Sequence, residues 1–222
     1  MSQPAVVVQA RRHPCAVLLL VQLAGIVVHP FLDAEPFGRA VFGVLSVVVL
    51  AVGVQAVRMS GSLTSVALAL AVPVAALTLV TGVVPDNGAV TVAASMLHAA
   101  FYFYVGWALI RYMFEDGITT ADELWATAAT FTVLAWAFAY VYVVVQVLWP
   151  GSFTAAVDAG LPRTWMDLLY MSLTTLSGTG LSDILPVTPH ARSFVMLEQL
   201  AGMFYLALVV SRVASLAIRR YR

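Results

Sequence analysis

Residues 167–189 read DLLYMSLTTLSGTGLSDILPVTP, and this stretch decides how the rest of the chain is organised. Its upstream part carries helix signals. Pro162 stands just ahead, and Thr164-Trp-Met-Asp167 has the pattern of a capping box with Asp in place of Glu. A short helix is therefore predicted over Thr164–Leu176. Ser177, Gly178, Thr179, Gly180 and Ser182 follow, small and mostly polar, before the chain returns through Asp183 to Pro189. The segment from Gly151 to Pro189 is too polar and too broken to be a simple apolar span.

Composition sets the solvent for everything around this segment. The chain has 222 residues, 62% of them hydrophobic and 10% charged, with a mean hydropathy of +0.95. A soluble domain carries about a quarter charged residues, so a bilayer is expected as the solvent. The formal net charge is zero and there is no basic block, which argues against nucleic acid as a partner. A single cysteine, Cys15, excludes an internal disulfide and is poor material for a metal site. The apolar run after MSQPAVVVQARRHP is read as a retained span, not a cleaved leader.

A membrane-crossing helix needs about 20 predominantly apolar residues, and six candidates appear. They run over Pro14–Val28, Arg39–Val57, Leu63–Val84, Ala89–Met113, Ala121–Trp149 and His190–Ile218. The first is short and calls on Phe31 and Leu32 to cross. Breakers fit the joints at 29–36, 60–62, 85–88 and 115–117. Counting arginines in short loops places Arg11, Arg12, Arg58, Arg111, Arg219, Arg220 and Arg222 on one side, and Arg39, Arg163 and Arg192 on the other. The arginine-rich side is cytoplasmic, so both termini are expected there.

A short helix followed by a polar turn between the fifth and sixth spans is a re-entrant loop. Irregular backbone persists at membrane depth only where protein buries it or water bathes it. The segment is thus expected to line a pore at a subunit interface.

The same stretch resembles the pore helix and selectivity filter of tetrameric potassium channels, whose hallmark is TVGYGD. The resemblance rests on two flanks that fit without a gap. One is Ser172-Leu173-Thr174-Thr175-Leu176 and the other is Asp183-Ile184-Leu185-Pro186-Val187-Thr188-Pro189. It covers roughly residues 131–216 and is weak over the first four spans. Gly202 lies 24 positions after Gly178, where this family commonly places the hinge glycine of its inner helix. In that register Leu206, Val210 and Ala214 face the conduction path and form a hydrophobic constriction able to gate by dewetting.

What the resemblance implies is cation passage through stacked backbone carbonyls of Gly178, Thr179, Gly180, Leu181 and Ser182, with Asp183 forming a carboxylate ring at the outer mouth. The letters depart from the family. Gly178 stands where the family has Thr, whose hydroxyls form the innermost ligand ring. Thr179 takes the place of a Val that faces away from the axis. Leu181 replaces the Tyr that ties the filter to pore-helix aromatics. Ser182 replaces the second Gly, where a side chain resists a positive φ. Thr174 lies where some relatives carry a Glu paired with the filter Asp. Tyr170, Thr174 and Glu198 are the expected supports of the filter. The expectation is weak discrimination among monovalent cations.

Other polar and aromatic residues carry competing readings. Glu198, within a span, is a functional candidate by type, but a carboxyl bonded to the back of the pore helix is the favoured reading. His98 is read as a packed neutral histidine in preference to a pH sensor, and Arg212 as a snorkelling side chain. The aromatics of the fourth and fifth spans, Tyr140 and Tyr142 among them, are read as lipid-facing or interhelical packing. The fourth span carries only Arg111, at its inner end, so a voltage sensor is not expected. An intramembrane hydrolase using Ser177 or Ser182 lacks a base beside the loop, since the nearest histidine is His190 at the outer end of the last span.

The expected architecture is an all-α membrane protein of six transmembrane helices, with a re-entrant pore helix and filter loop between helices 5 and 6, assembled as a homotetramer. Residues 1–118 would form a four-helix peripheral domain. Residues 119–222 would form the pore domain, with the pore helix at 164–176, the filter at 177–183 and the inner helix at 190–218. The expected partners are the lipid bilayer of the cell membrane and three further copies of the chain. No enzyme activity, cofactor or small-molecule substrate is expected beyond permeant K⁺ or Na⁺. Two alternatives stay open: a strictly potassium-selective channel, and a non-conducting scaffold with a degenerate pore loop.

Overall fold

The fold is nearly all helix, as the apolar runs dictate. The computed structural model describes residues 13–32, 36–83, 87–115 and 121–220. Five helices come first: α1 (Pro14–Leu32), α2 (Pro36–Met59), α3 (Thr64–Val83), α4 (Gly88–Met113) and α5 (Ala121–Leu148). A short strand β1 (Phe153–Thr154), helix α6 (Trp165–Leu176), strand β2 (Leu185–Pro186) and the long helix α7 (Pro189–Arg220) complete the order.

Among the described residues, four helices are long and apolar enough to cross a membrane: Pro14–Phe31, Gly88–Met113, Asp122–Leu148 and Pro189–Arg212. The apolar stretches described in α2 and α3, Ser46–Met59 and Thr64–Thr78, are shorter. α1 runs past the breaker expected at its end, carrying Pro30 inside its last turn. That proline removes the N–H that would bond the Ile26 carbonyl, so the helix continues over its last turn one hydrogen bond short. α3 likewise continues through Pro73.

The chain divides into two compact units, Met1–Ala137 and Phe138–Arg222. The boundary expected at 118/119 lies outside the described residues, as do Arg11, Arg12 and Arg222.

In the first unit α2 packs against α1, α3 and α4, and α3 packs against α4. Asn87 starts α4 by accepting hydrogen bonds from the Ala89 and Val90 N–H groups. The core is built from small and aromatic residues: Ala67, Ala108, Phe101, Tyr102 and Trp136 are all buried. Tyr102 meets Trp136 edge to face at 5.7 Å between ring centroids. His98 is buried, its Nδ1 2.9 Å from the Ala94 carbonyl. Thr132 donates to Gln22 Oε1 at 2.8 Å, joining α5 to α1.

In the second unit β1 and β2 pair antiparallel, with Phe153 opposite Pro186 and Thr154 opposite Leu185. The Val187 N–H extends that pairing to the Ser152 carbonyl at 2.9 Å. This two-strand clip joins the segment before α6 to the segment after it, so that 177–183 is held as a closed excursion between two fixed ends. Helices α6 and α7 pack directly on each other.

Candidate functional site

The site is assembled around α6, and α6 begins where the sequence says it should. Thr164 Oγ1 accepts from the Asp167 N–H at 3.2 Å, and the Asp167 carboxylate accepts from the Thr164 N–H at 2.9 Å. This reciprocal capping box satisfies two of the N–H groups a helix start leaves orphaned. The approach to it is fixed by Gln146 on α5. Its amide donates to the Arg163 carbonyl at 2.9 Å and accepts from the Arg163 N–H at 2.7 Å. The Arg163 guanidinium in turn gathers carbonyls of its own loop, donating to Leu161 at 3.0 Å and to Val157 at 3.3 Å.

The end of α6 determines the shape of 177–183. Ser177 is the last residue with helical geometry, and Gly178 follows at φ +73°. The Gly178 N–H reaches the Thr175 carbonyl at 3.1 Å, and the left-handed conformation turns the chain after it back over the helix end, as in a glycine-terminated helix. The Thr174 carbonyl takes three donors: the Gly180 N–H at 3.1 Å, Ser177 Oγ at 3.2 Å and Thr179 Oγ1 at 3.3 Å. Thr179 therefore turns its hydroxyl back onto the helix end. Gly180, at φ +64°, has the second positive φ of the segment.

The outward half of the segment has its own restraints. The Tyr170 hydroxyl, from the middle of α6, donates to the Leu181 carbonyl at 2.8 Å. Ser182 Oγ accepts from the Ile184 N–H at 3.0 Å. The backbone at Ser182 stays out of the left-handed region, which among non-glycine residues is occupied only by Asp158 in the described chain. The strain expected of a side chain at this position does not arise. Gly178, Thr179, Gly180, Leu181 and Asp183 are exposed in the protomer, while Ile184 is buried and anchors the return.

Behind the segment lies a buried carboxyl. Glu198 of α7 is fully buried and accepts hydrogen bonds from the Ser172 hydroxyl of α6 and the Tyr142 hydroxyl of α5. Three helices of the unit thus meet at one side chain. Both donors satisfy a group whose burial without partners would be costly. Thr174, also buried, bonds its own helix at the Met171 carbonyl at 2.9 Å. Among the described side chains of α7 the buried ones follow a single face: Ala191, Val195, Glu198, Gly202 and Tyr205. Gly202 sits where that face meets the end of α6. A side-chain carbon added there would lie 2.2 Å from the Leu176 carbonyl oxygen.

An open groove of about 280 Å³ lies along the α6–α7 pair, lined in part by Thr175, Gly178, Gly180, Gln199, Met203 and Leu206. It unites Gly178, Gly180 and Leu206 but does not include Val210, which is 65% exposed further along α7. The side chain of Ala214 lies outside the described residues. The sequence reading missed Gln199 and Met203, although both flank Gly202 on the helix surface. It also missed Ser172 and Tyr142 as partners of Glu198.

Residues 128–219 match the model of a protein family described as an ion channel. The matched stretch runs from within α5, through α6 and the 177–183 segment, into α7. The match supports an ion channel, and with the long apolar helices it supports a membrane protein in contact with lipid. No curated protein and no solved structure matches the chain.

Proposed function

We propose that this chain is a passive channel for monovalent cations, K⁺ and Na⁺, which discriminates weakly between them. In this reading six helices cross the cell membrane with both termini in the cytoplasm. Four copies surround one axis with α6 re-entrant, and residues 178–183 of each copy line the shared passage. The Gly202 region of α7 supplies the hinge, and Leu206, Val210 and Ala214 supply the constriction. Conduction of this kind needs no covalent chemistry and no cofactor, because main-chain carbonyls replace the water of the ion.

The observation that carries the proposal is the construction of 177–183. This exposed polar segment is spanned by a capped helix on one side and an antiparallel clip on the other, with two left-handed glycines and a buried carboxyl braced behind it. Exposure in a single protomer is what a segment completed only by neighbouring copies would have. The apolar face that α7 leaves open, with Met196, Leu200, Met203, Phe204 and Val210 all exposed, accords with burial against further copies and lipid. Weak discrimination follows from the absence of a hydroxyl ring at 178 and from the short run of positions able to hold a dehydrated ion.

The test is a planar-bilayer recording of the purified protein with K⁺ on one side and Na⁺ on the other. The expected result is cation current that excludes chloride, with a reversal potential well short of the potassium limit. A reversal at that limit overturns weak selectivity. No cation flux under any condition overturns the channel reading in favour of a non-conducting scaffold.

A further inference from the structure

The Tyr170–Leu181 contact carries a consequence for selectivity that the loss of a filter tyrosine does not by itself predict. Position 181 holds a leucine, 78% exposed, whose side chain offers no hydroxyl to tie the segment to α6. The tie is made in the opposite direction. Tyr170 reaches out from α6 and its hydroxyl donates to the Leu181 main-chain carbonyl at 2.8 Å. A carbonyl oxygen that already accepts from Tyr170 is less available to a passing ion. The bond and an inward-facing ligand position therefore compete for the same oxygen.

We infer that Tyr170 sets ion selectivity by withdrawing the Leu181 carbonyl from the conduction path, leaving one coordination layer incomplete. The inference rests on the channel reading above and deepens it by assigning part of the weak discrimination, beside the missing hydroxyl ring at 178, to a particular hydroxyl. Dehydrated K⁺ is held by layers of main-chain oxygens, and removing one layer lets water stay with the ion at that level. A partly hydrated ion is distinguished less well by size. The other restraints on the segment leave this effect specific to Tyr170. Thr179 and Gly180 bond the Thr174 carbonyl, and Ser182 bonds the Ile184 N–H, so neither contact engages a carbonyl of residues 178–182. Tyr170 is also half-exposed in the protomer, so its hydroxyl can be removed without opening a core cavity.

The experiment compares wild type with Tyr170→Phe and Tyr170→Leu under bi-ionic K⁺/Na⁺ conditions in planar bilayers. Release of one hydrogen bond, about 0.5–1.5 kcal/mol net, should raise the K⁺ over Na⁺ permeability ratio by about two- to tenfold in both variants. An unchanged or lowered ratio in conducting variants overturns the inference, a lowered one meaning that the hydroxyl stiffens the segment instead. Isothermal titration of the detergent-solubilised full chain with KCl and with NaCl reads the same oxygen without current. A gain in K⁺ preference in the variants supports the inference, and equal preference in wild type and variants overturns it. Absence of cation flux in wild type would sink the channel reading and with it the selectivity role, whereas conducting variants with an unchanged permeability ratio would sink the inference alone.

Discussion

Gly202 on α7 lies so close to the last helical turn of α6 that a side-chain carbon there would fall 2.2 Å from the Leu176 carbonyl oxygen and 2.9 Å from its carbonyl carbon. Both atoms belong to backbone, which cannot turn aside as a flexible side chain can. The contact sits two residues before Gly178, so any displacement of α7 at this point is felt directly by the turn that carries the candidate site. Elsewhere the tight glycines meet side chains: a carbon at Gly53 would lie 3.0 Å from the Phe101 ring, within the first unit.

Gly202→Ala should therefore be costly in a way that Gly53→Ala is not. Overpacking of a close contact typically costs about 1–3 kcal/mol, and the upper part of that range is expected at 202. Thermal unfolding of the detergent-solubilised protein, followed for both variants beside wild type, checks this. Equal melting temperatures for Gly202→Ala and wild type would show that α7 sits further from α6 than described.

The buried carboxyl of Glu198 should behave as one unit with Ser172 and Tyr142. Ser172→Ala and Tyr142→Phe each remove one donor, and each should destabilise by about 1–3 kcal/mol. Glu198→Ala removes the acceptor from both, leaving two buried hydroxyls without it. In that background Ser172→Ala should add much less than it costs alone, a coupling of about 0.5–3 kcal/mol. Denaturation midpoints of the four proteins in the cycle provide the measurement, and strict additivity would mean that the contact contributes nothing.

Local chemistry was legible in the sequence, and long-range pairing was not. The capping box at Thr164 and Asp167 could be read because its two members are three residues apart and the rule needs nothing else. The start and end of α6 and the placing of α7 followed from the same kind of signal. α1 ran past its expected end, through Pro30, although a proline there removes an intrahelical hydrogen bond, so a proline alone did not mark the end of the helix. Glu198 was expected against the back of α6, but Ser172 and Tyr142 lie 26 and 56 positions away. A single sequence holds no rule that pairs a hydroxyl with a carboxyl at those separations. Leu181 was expected to lose its tie to α6, yet Tyr170 supplies one to the carbonyl. Every residue has a backbone acceptor, so an acceptor of that kind leaves no mark in the sequence.

Thr164→Ala should cost about 1 kcal/mol by uncovering the Asp167 N–H, whereas Thr164→Ser should be nearly neutral because the accepting oxygen is kept. Both variants lack the threonine methyl group and differ from each other only by the hydroxyl, so their comparison isolates the cap. Hydrogen exchange of the Asp167 amide is the sharper readout: it should quicken in Thr164→Ala and stay slow in Thr164→Ser. Fast exchange in both would mean that the cap is not formed in the membrane-mimetic environment.

Gly178 offers the cleanest separation of backbone from packing at the candidate site. Its φ is +73°, and no atom outside its neighbours lies within 4 Å of where a side-chain carbon would stand. An L-residue there meets open space but the wrong backbone region, at a cost of about 1–2 kcal/mol. Gly178→Ala should lower thermal stability by that amount. D-alanine at the same position, introduced by semisynthesis, should match wild type or exceed it, since it favours positive φ and restricts the unfolded chain. Gly178→Thr, which would bring in the threonine of the resembled filter, adds a β-branch to the same strain and should be worse than alanine. The order expected in melting temperature is D-alanine and glycine together, then alanine, then threonine. If threonine instead proves as stable as glycine, residues 177–180 do not hold the left-handed turn against the end of α6.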